Sequence, residues 1–122
     1  MADELVLIVD DNEKNLKLAR DVLRHAGFRT LEARTGGDGI SLAVEQLPDL
    51  VLMDIRLPDM DGTEVVRLLK ADERTAGIPV VALSAMAMSG DRERFLEDGF
   101  DDYLEKPISV RDFGDQIRSR LR

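Results

Sequence analysis

The sequence predicts an α/β domain in which helices cover both faces of a parallel sheet. Five short apolar runs of strand-forming residues alternate with five segments whose apolar residues recur at helical spacing. Such alternation indicates consecutive βα units, which need a parallel sheet with right-handed crossovers. In addition, polar residues directly follow four of the apolar runs. This is the arrangement expected where ligands bind at the carboxyl ends of parallel strands.

The first βα unit is predicted to place a strand at residues 5–9 and a helix at 13–26. Apolar residues of that helix share one face and are Leu16, Ala19, Leu23 and Ala26. Gly27 is predicted to stop the helix, because glycine readily adopts the left-handed conformation that ends helices.

The second unit is predicted as a strand over 28–33 and a helix over 36–47 that Thr35 could cap. Its predicted apolar stripe is Ile40, Ala43, Val44 and Leu47. Pro48 follows and cannot continue a helix.

The three remaining strands are predicted over 50–53, 80–83 and 101–105. The third helix, 62–72, groups Val65, Leu68 and Leu69, and the fourth, 89–98, is weaker. The last helix follows a possible capping box and shows an apolar face of Val110, Phe113, Ile117 and Leu121. Five strands favour the flavodoxin-like order 2-1-3-4-5, with a switch point between strands 1 and 3.

Composition limits the possible functions. The 122 residues fit one domain, 1–122, with no output domain visible. A formal net charge of -8 argues against direct DNA binding, which needs basic patches. The absence of cysteine excludes thiol chemistry and thiolate metal sites. Neither a membrane-spanning run nor a secretory signal is evident, so a cytoplasmic location is expected.

Carboxylates follow the first and third predicted strands. Asp10 and Asp11 end the first strand, and Asp54 ends the third. Neighbouring carboxylates repel one another unless a cation lies among them, and Mg²⁺ prefers such hard oxygen ligands. Alternatively, the Asp-Asp-Asn run at 10–12 simply caps the first helix, and this run alone does not separate the two interpretations.

Asp54 is the candidate phosphoryl acceptor, because a carboxylate can attack phosphorus to form an acyl phosphate. Ser84, after the fourth strand, could donate a hydrogen bond to a phosphoryl oxygen. Lys106, after the fifth strand, would add a positive charge, and the Lys106-Pro107 bond is a candidate cis peptide. A phosphoryl group would add about 1.5 to 2 negative charges and draw both side chains inward.

Taken together, these motifs resemble the receiver domain of two-component response regulators from Val6 to Leu121. They read Val-Asp-Asp-Asn at 9–12, Leu-Met-Asp-Ile-Arg-Leu-Pro-Asp-Met-Asp-Gly at 52–62, Leu-Ser-Ala at 83–85 and Tyr-Leu-Glu-Lys-Pro-Ile at 103–108. The chain looks most like stand-alone, cell-cycle-type receivers, and it also resembles receivers attached to hybrid kinases.

The resemblance implies a function and a set of site residues. Asp54 would accept phosphate from a sensor histidine kinase or a phosphotransfer protein. Mg²⁺ would be bound by Asp10, Asp11, Asp54 and the backbone carbonyl of Arg56. The phosphoryl-binding and switch positions would be Ser84, Ala85, Tyr103 and Lys106.

Signalling would pass to a downstream protein target through a surface formed by helix 4, strand 5 and helix 5. Met86 and Met88 are candidate partner contacts, because methionine is common on adaptable binding surfaces. Buried packing of that segment is an equally good interpretation. The chain would be a monomer or a phosphorylation-dependent dimer.

The competing function is a phosphatase that forms an aspartyl phosphate. The hydrolase family with that chemistry places a second aspartate two residues after the nucleophile, as a general acid. Here Arg56 occupies that position, and its guanidinium stays protonated. The sequence therefore favours a signalling switch with only Mg²⁺-dependent self-phosphorylation and self-dephosphorylation over a true enzyme.

Overall fold

A computed structural model describes residues 4–84, 91–105 and 108–121, with the side chains of residues 91 and 92 outside that description. Five parallel strands form one sheet in the order β2-β1-β3-β4-β5, so the predicted flavodoxin-like order is confirmed. The strands are β1 (Leu5–Val9), β2 (Arg29–Ala33), β3 (Leu50–Asp54), β4 (Val80–Ser84) and β5 (Asp102–Glu105).

Helices connect the strands and cover both faces of the sheet. They are α1 (Glu13–His25), α2 (Gly36–Gln46), α3 (Gly62–Ala71), α4 (Asp91–Asp98) and α5 (Phe113–Arg118). The helices α1 and α5 pack on one face, while α2, α3 and α4 contribute to the core on the other. Within the described ranges, no helix is long and apolar enough to cross a membrane.

The alternation of side chains along β1 divides the core into two layers. Val6 and Ile8 join the cluster beneath α1 and α5, whereas Leu7 and Val9 join the cluster beneath α2 and α3. Each of these four residues is at most 1% exposed. Strands buried on both faces read as continuous apolar runs, which explains why β1 and β3 show no polar alternation.

Two helix ends have the capping chemistry that the sequence predicts. Thr35 caps α2, and its side-chain oxygen accepts a hydrogen bond from the Asp38 backbone N–H at 3.1 Å. Gly27, just beyond α1, has φ +99°, a conformation that costs glycine little.

Three apolar residues are not where the predicted helical faces place them. Leu47 is 54% exposed, because it takes the left-handed cap conformation that ends α2 rather than continuing the helix. Leu68 is 48% exposed, because the buried face of α3 is centred on Gly62, Val65, Val66 and Leu69. Val110 is 64% exposed, since it lies in the turn before α5.

The predicted capping box before α5 is also different in detail. The Ser109 hydroxyl lies 3.3 Å from Asp112 Oδ2, and the Asp112 backbone N–H donates to Ser109 Oγ at 3.4 Å. Asp112 itself is the N-cap residue and caps no N–H with its side chain. The two residues therefore bond each other in the turn that precedes the helix.

The ion pair between Lys70 and Asp101, here called the ionic anchor, joins α3 to the beginnings of β4 and β5. Lys70 Nζ donates to Asp101 Oδ2 at 2.9 Å and to the Ile78 carbonyl at 2.8 Å. Asp101 Oδ2 also accepts from the Val80 backbone N–H at 2.7 Å. Both side chains are less than a third exposed, so solvent screens this pair less than a surface pair.

Replacing Asp101 should therefore destabilise the domain. Asp101→Ala removes an acceptor of two hydrogen bonds, one of them from a charged donor, and we expect a loss of about 1–3 kcal/mol in unfolding free energy. Urea denaturation measures it as a lower midpoint. The matched control is Asp98→Ala, which breaks a pair with the exposed Arg67 and should cost less than about 1 kcal/mol. Equal losses in the two variants would contradict the proposed anchor.

Candidate functional site

Three carboxylates meet where β1 and β3 end. Val9 of β1 pairs with Met53 of β3, so Asp10 and Asp54 leave the sheet side by side. Asp10, Asp11 and Asp54 each offer an oxygen atom, and these atoms all lie within 4.8 Å of one another. The structure thus brings together the three acidic residues that the sequence selected.

The three acids differ in their surroundings. Asp10 is only 1% exposed, and its Oδ1 accepts a hydrogen bond from the Asn12 backbone N–H at 2.9 Å. Asp54 is half-buried, and its Oδ1 accepts from the Arg56 backbone N–H at 3.3 Å. Asp11 is exposed. These contacts orient the two less exposed carboxylates, while Asp11 borders solvent.

Helix capping and the acidic cluster use different members of the run at 10–12. Asn12 is the N-cap of α1, and its side-chain oxygen accepts from the Lys14 and Asn15 backbone N–H groups at 2.9 and 3.2 Å. The capping interpretation is therefore correct for Asn12. Asp10 and Asp11 remain part of the carboxylate cluster.

The acidic cluster fits a divalent cation chemically. Three carboxylates at this separation repel one another, and a positive ion among them would offset that repulsion. Oxygen-only donors, one of them on the exposed Asp11, match the preference of Mg²⁺. Among the described residues, this is the group of acidic side chains close enough to share a metal ion.

The loop that follows Asp54 is closed on itself. Arg56 and Asp61 form an antiparallel bridge, and the Gly62 backbone N–H donates to the Ile55 carbonyl at 2.7 Å. A Cβ atom on residue 62 would lie 2.7 Å from the Asp54 carbonyl oxygen, closer than real contacts allow. Glycine at position 62 therefore lets α3 begin directly against the strand that carries Asp54.

The same loop is tied to α2 through Asp59, a contact that the sequence analysis missed. Asp59 Oδ1 accepts from the Gly36 backbone N–H at 2.8 Å, and Oδ2 accepts from Gly37 at 2.9 Å. Because these donors stabilise the charged form, Gly36 and then Gly37 hold the pKa of Asp59 below its ordinary value of 3.8. The partners are 22 and 23 residues apart in sequence, so no local pattern could reveal them.

The other predicted site residues divide into two groups. Ser84 is half-buried at the end of β4, the strand in which Leu83 pairs with Asp54. Tyr103 on β5 is half-buried, and its ring centroid lies 5.8 Å from that of Phe95. The remaining predicted residues, Ala85, Met86, Met88, Lys106 and Pro107, lie outside the described residues, as does the predicted cis bond.

A family comparison agrees with this geometry. The model of the response regulator receiver domain matches residues 6–118. The chain belongs to that family. As a receiver domain, it is the phosphoryl-accepting module of two-component signalling.

Individual relatives refine the placement of this receiver domain. It is 48% identical over 116 residues to the polar-differentiation response regulator DivK of Brucella ovis, covering 95% of this chain and 94% of that protein. DivK of Brucella suis is equally similar. The predicted resemblance to cell-cycle-type, single-domain receivers is therefore confirmed.

Solved structures show the same fold. The receiver domain of the sensor histidine kinase PA1611 from Pseudomonas aeruginosa is 34% identical, with a TM-score of 0.88 and 97% of each chain covered. That receiver carries a magnesium ion coordinated in its active-site cleft. A response regulator from Chloroflexus aurantiacus is 27% identical, with a TM-score of 0.91 over 98% of each chain.

The hydrogen bonds of Asp59 predict a pH-dependent contribution to stability. A carboxyl group whose folded-state pKa is lowered stabilises the fold above its unfolded pKa, and this contribution is lost as the pH falls through the folded pKa. The difference in urea midpoint between wild type and Asp59→Asn should be largest above about pH 5 and shrink below about pH 4.

The control for this experiment is Asp61→Asn. Asp61 is exposed, lies in the same loop and makes no side-chain cap hydrogen bond, so the variant reports the loss of one charge alone. A wild-type minus Asp59→Asn difference that stays constant from pH 6 to pH 2 would contradict the interpretation of Asp59.

Proposed function

We propose that this chain is a single-domain response regulator whose Asp54 accepts a phosphoryl group from a histidine kinase or a phosphotransfer protein. The convergence of Asp10, Asp11 and Asp54 at adjacent strand ends carries the proposal. Asp54 is the acid best placed to react, because it is half-buried at the end of β3, between the strands that carry Asp10 and Ser84. The match to DivK over nearly its whole length supports a stand-alone switch.

The transfer would proceed by attack of an Asp54 carboxylate oxygen on phosphorus. As the new O–P bond forms, the P–N bond of the donor phosphohistidine breaks, and its electron pair returns to the imidazole nitrogen. Mg²⁺, held by Asp10, Asp11, Asp54 and the Arg56 carbonyl, would supply positive charge to the phosphoryl oxygens. A half-buried site favours such electrostatic stabilisation, since fewer waters compete.

Recognition of the transferred group would fall to the ends of β4 and β5. The Ser84 hydroxyl would donate to a phosphoryl oxygen, with the Ala85 backbone next to it, and Lys106 would pair with the added negative charge. Ser84 is aligned with Glu105, the last residue of β5 and the residue before Lys106 in sequence. This alignment supports a shared role for the two segments.

Output would follow from a change at Tyr103. Its ring centroid lies 5.8 Å from that of Phe95 in α4, and Ala82 of β4 is its strand partner. Movement of Ser84 toward a phosphoryl group would free space for the ring and alter the surface of α4, β5 and α5. Met86 and Met88 would extend that surface toward a downstream protein target.

A second candidate role is that of a receiver module within a hybrid histidine kinase. The similarity to the PA1611 receiver, which belongs to a sensor kinase, favours it. The higher identity to the response regulator DivK, 48% against 34%, weighs more. In both roles the phosphoryl acceptor is the same.

The direct test is phosphate incorporation. With acetyl phosphate and Mg²⁺, the wild type should gain about one phosphoryl group, detected by intact-protein mass spectrometry, and Asp54→Asn should gain none. The control variant is Asp49→Asn. Asp49 lies at the amino ends of the strands, away from Asp54, and its Oδ2 accepts a hydrogen bond from the Leu5 backbone N–H. Labelling of Asp54→Asn would show that another residue is the acceptor. Repeated turnover of a phosphomonoester would instead indicate the phosphatase.

Mg²⁺ should raise the Tm of the wild type, and it should raise the Tm of Asp11→Asn much less. Ligand binding to the folded state stabilises it by about 2.7 kcal/mol when the free ligand is 100 times Kd. Replacing Asp11 removes a ligand and relieves repulsion, so the variant should fold well without Mg²⁺ while its Mg²⁺-dependent rise in Tm is small. Thermal unfolding without Mg²⁺ and with about 10 mM Mg²⁺ measures the rise in Tm. The control variant is Asp21→Asn, on the exposed face of α1. An equal Tm rise in Asp11→Asn would exclude Asp11 as a ligand.

A further inference from the structure

The segment from Ile55 to Asp61, here called the acceptor loop, connects Asp54 to α3 and contains Arg56. Two consecutive residues of this loop contact the first turn of α2. Asp59 accepts hydrogen bonds from the Gly36 and Gly37 backbone N–H groups at 2.8 and 2.9 Å, one on each carboxylate oxygen. The Met60 side chain lies directly against Gly36, where a Cβ atom would come within 2.6 Å of Met60 Cγ.

Capping of α2 does not account for all of this contact. Thr35 is already the N-cap and bonds the Asp38 backbone N–H at 3.1 Å. Asp59 takes the two preceding N–H groups, which an α-helix leaves without an internal partner. An ordinary cap would come from the residue next to the helix, whereas this one comes from a different loop, 22 residues or more away. The bonds therefore fix the loop relative to the helix as well as the helix itself.

The acceptor loop can transmit this restraint because it is short and closed. The Arg56–Asp61 bridge and the Gly62 to Ile55 hydrogen bond at 2.7 Å join its two ends. Asp59 lies at the tip of that closed loop, between the bridge residues. A displacement of the tip would therefore displace Arg56, whose backbone N–H also donates to Asp54 Oδ1 at 3.3 Å.

We propose that Asp59 is a positioning residue: by binding the Gly36 and Gly37 N–H groups, it holds the acceptor loop so that the Arg56 carbonyl and the Asp54 carboxylate are oriented for Mg²⁺. This inference rests on the proposed function, because it takes Arg56 and Asp54 as ligands. Asp59 does not itself bind the ion, since both of its oxygens are directed at α2. Residues that orient metal ligands commonly affect affinity 10- to 100-fold when replaced.

Calorimetric titration with MgCl₂ tests the proposal at neutral pH and well below the unfolding temperature. Asp59→Ala removes both acceptor oxygens and should weaken Mg²⁺ binding about 10-fold. Asp59→Asn keeps one oxygen acceptor and should bind with intermediate affinity, a partial rescue that loss of charge alone does not predict. The matched control, Asp61→Asn, removes an exposed charge from the same loop and should stay within about twofold of wild type.

Amide NMR spectra of the metal-free protein provide a second readout. The backbone N–H signals of Gly36 and Gly37 should move in Asp59→Ala, because their hydrogen-bond acceptors are lost. The Arg56 signal should move with them if the loop transmits the restraint. A role confined to the stability of α2 would move the two glycine signals and leave Arg56 unchanged.

Three results would overturn the positioning role, and a fourth would bear on the proposed function. Wild-type Mg²⁺ affinity in Asp59→Ala would overturn the positioning role, and so would an Arg56 signal that does not respond. Asp61→Asn and Asp59→Ala weakening Mg²⁺ binding equally would also overturn it, since long-range charge would then explain both. Failure of the wild type to bind Mg²⁺ would refute the proposed function, and the Arg56 signal alone would then decide whether the loop is positioned by Asp59.

Discussion

The crowding of Asp10, Asp11 and Asp54 is the constraint on which the functional end of this domain depends. The sheet order makes β1 and β3 neighbours, and their register aligns Val9 with Met53, so the acids that follow start from adjacent strand ends. Like charges at this spacing are unfavourable in isolation. The fold nevertheless holds them, because the strands that carry them are buried on both faces and cannot shift register without exposing their apolar side chains. Core packing thereby stabilises an arrangement that electrostatics alone would disperse.

The loop beyond β3 is held by contacts of a different kind. Gly62 permits a close approach of α3 to the Asp54 backbone, and the Arg56–Asp61 bridge closes the segment between them. Asp59 then joins this segment to α2 with a carboxylate rather than with apolar area. Directional hydrogen bonds suit a loop that must keep a defined geometry near solvent, where burial contributes little.

The sequence was sufficient for the strand order and the acidic cluster, and insufficient for contacts that depend on distant pairing. The order followed from alternating βα units, and the cluster followed from acids placed directly after two apolar strands. Helical periodicity misplaced Leu47, Leu68 and Val110, because it does not reveal where a helix ends or where the centre of its buried face lies. The contact between Asp59 and α2 was missed for a similar reason, since its partners meet only once the sheet has formed. The positions of Lys106, Met86 and Met88 remain predictions.

Leu47 bears on how this domain can change over evolutionary time. Its φ of 48° places a branched side chain in the left-handed region, a conformation that costs roughly 1–2 kcal/mol for residues other than glycine. The strained end of α2 lies at the far end of the helix from Gly36, about 16 Å along the axis for eleven residues. A lineage could therefore gain or lose thermal tolerance by substitution at position 47 while the acidic end of the sheet stays as it is. Durability and signalling would then be adjustable separately.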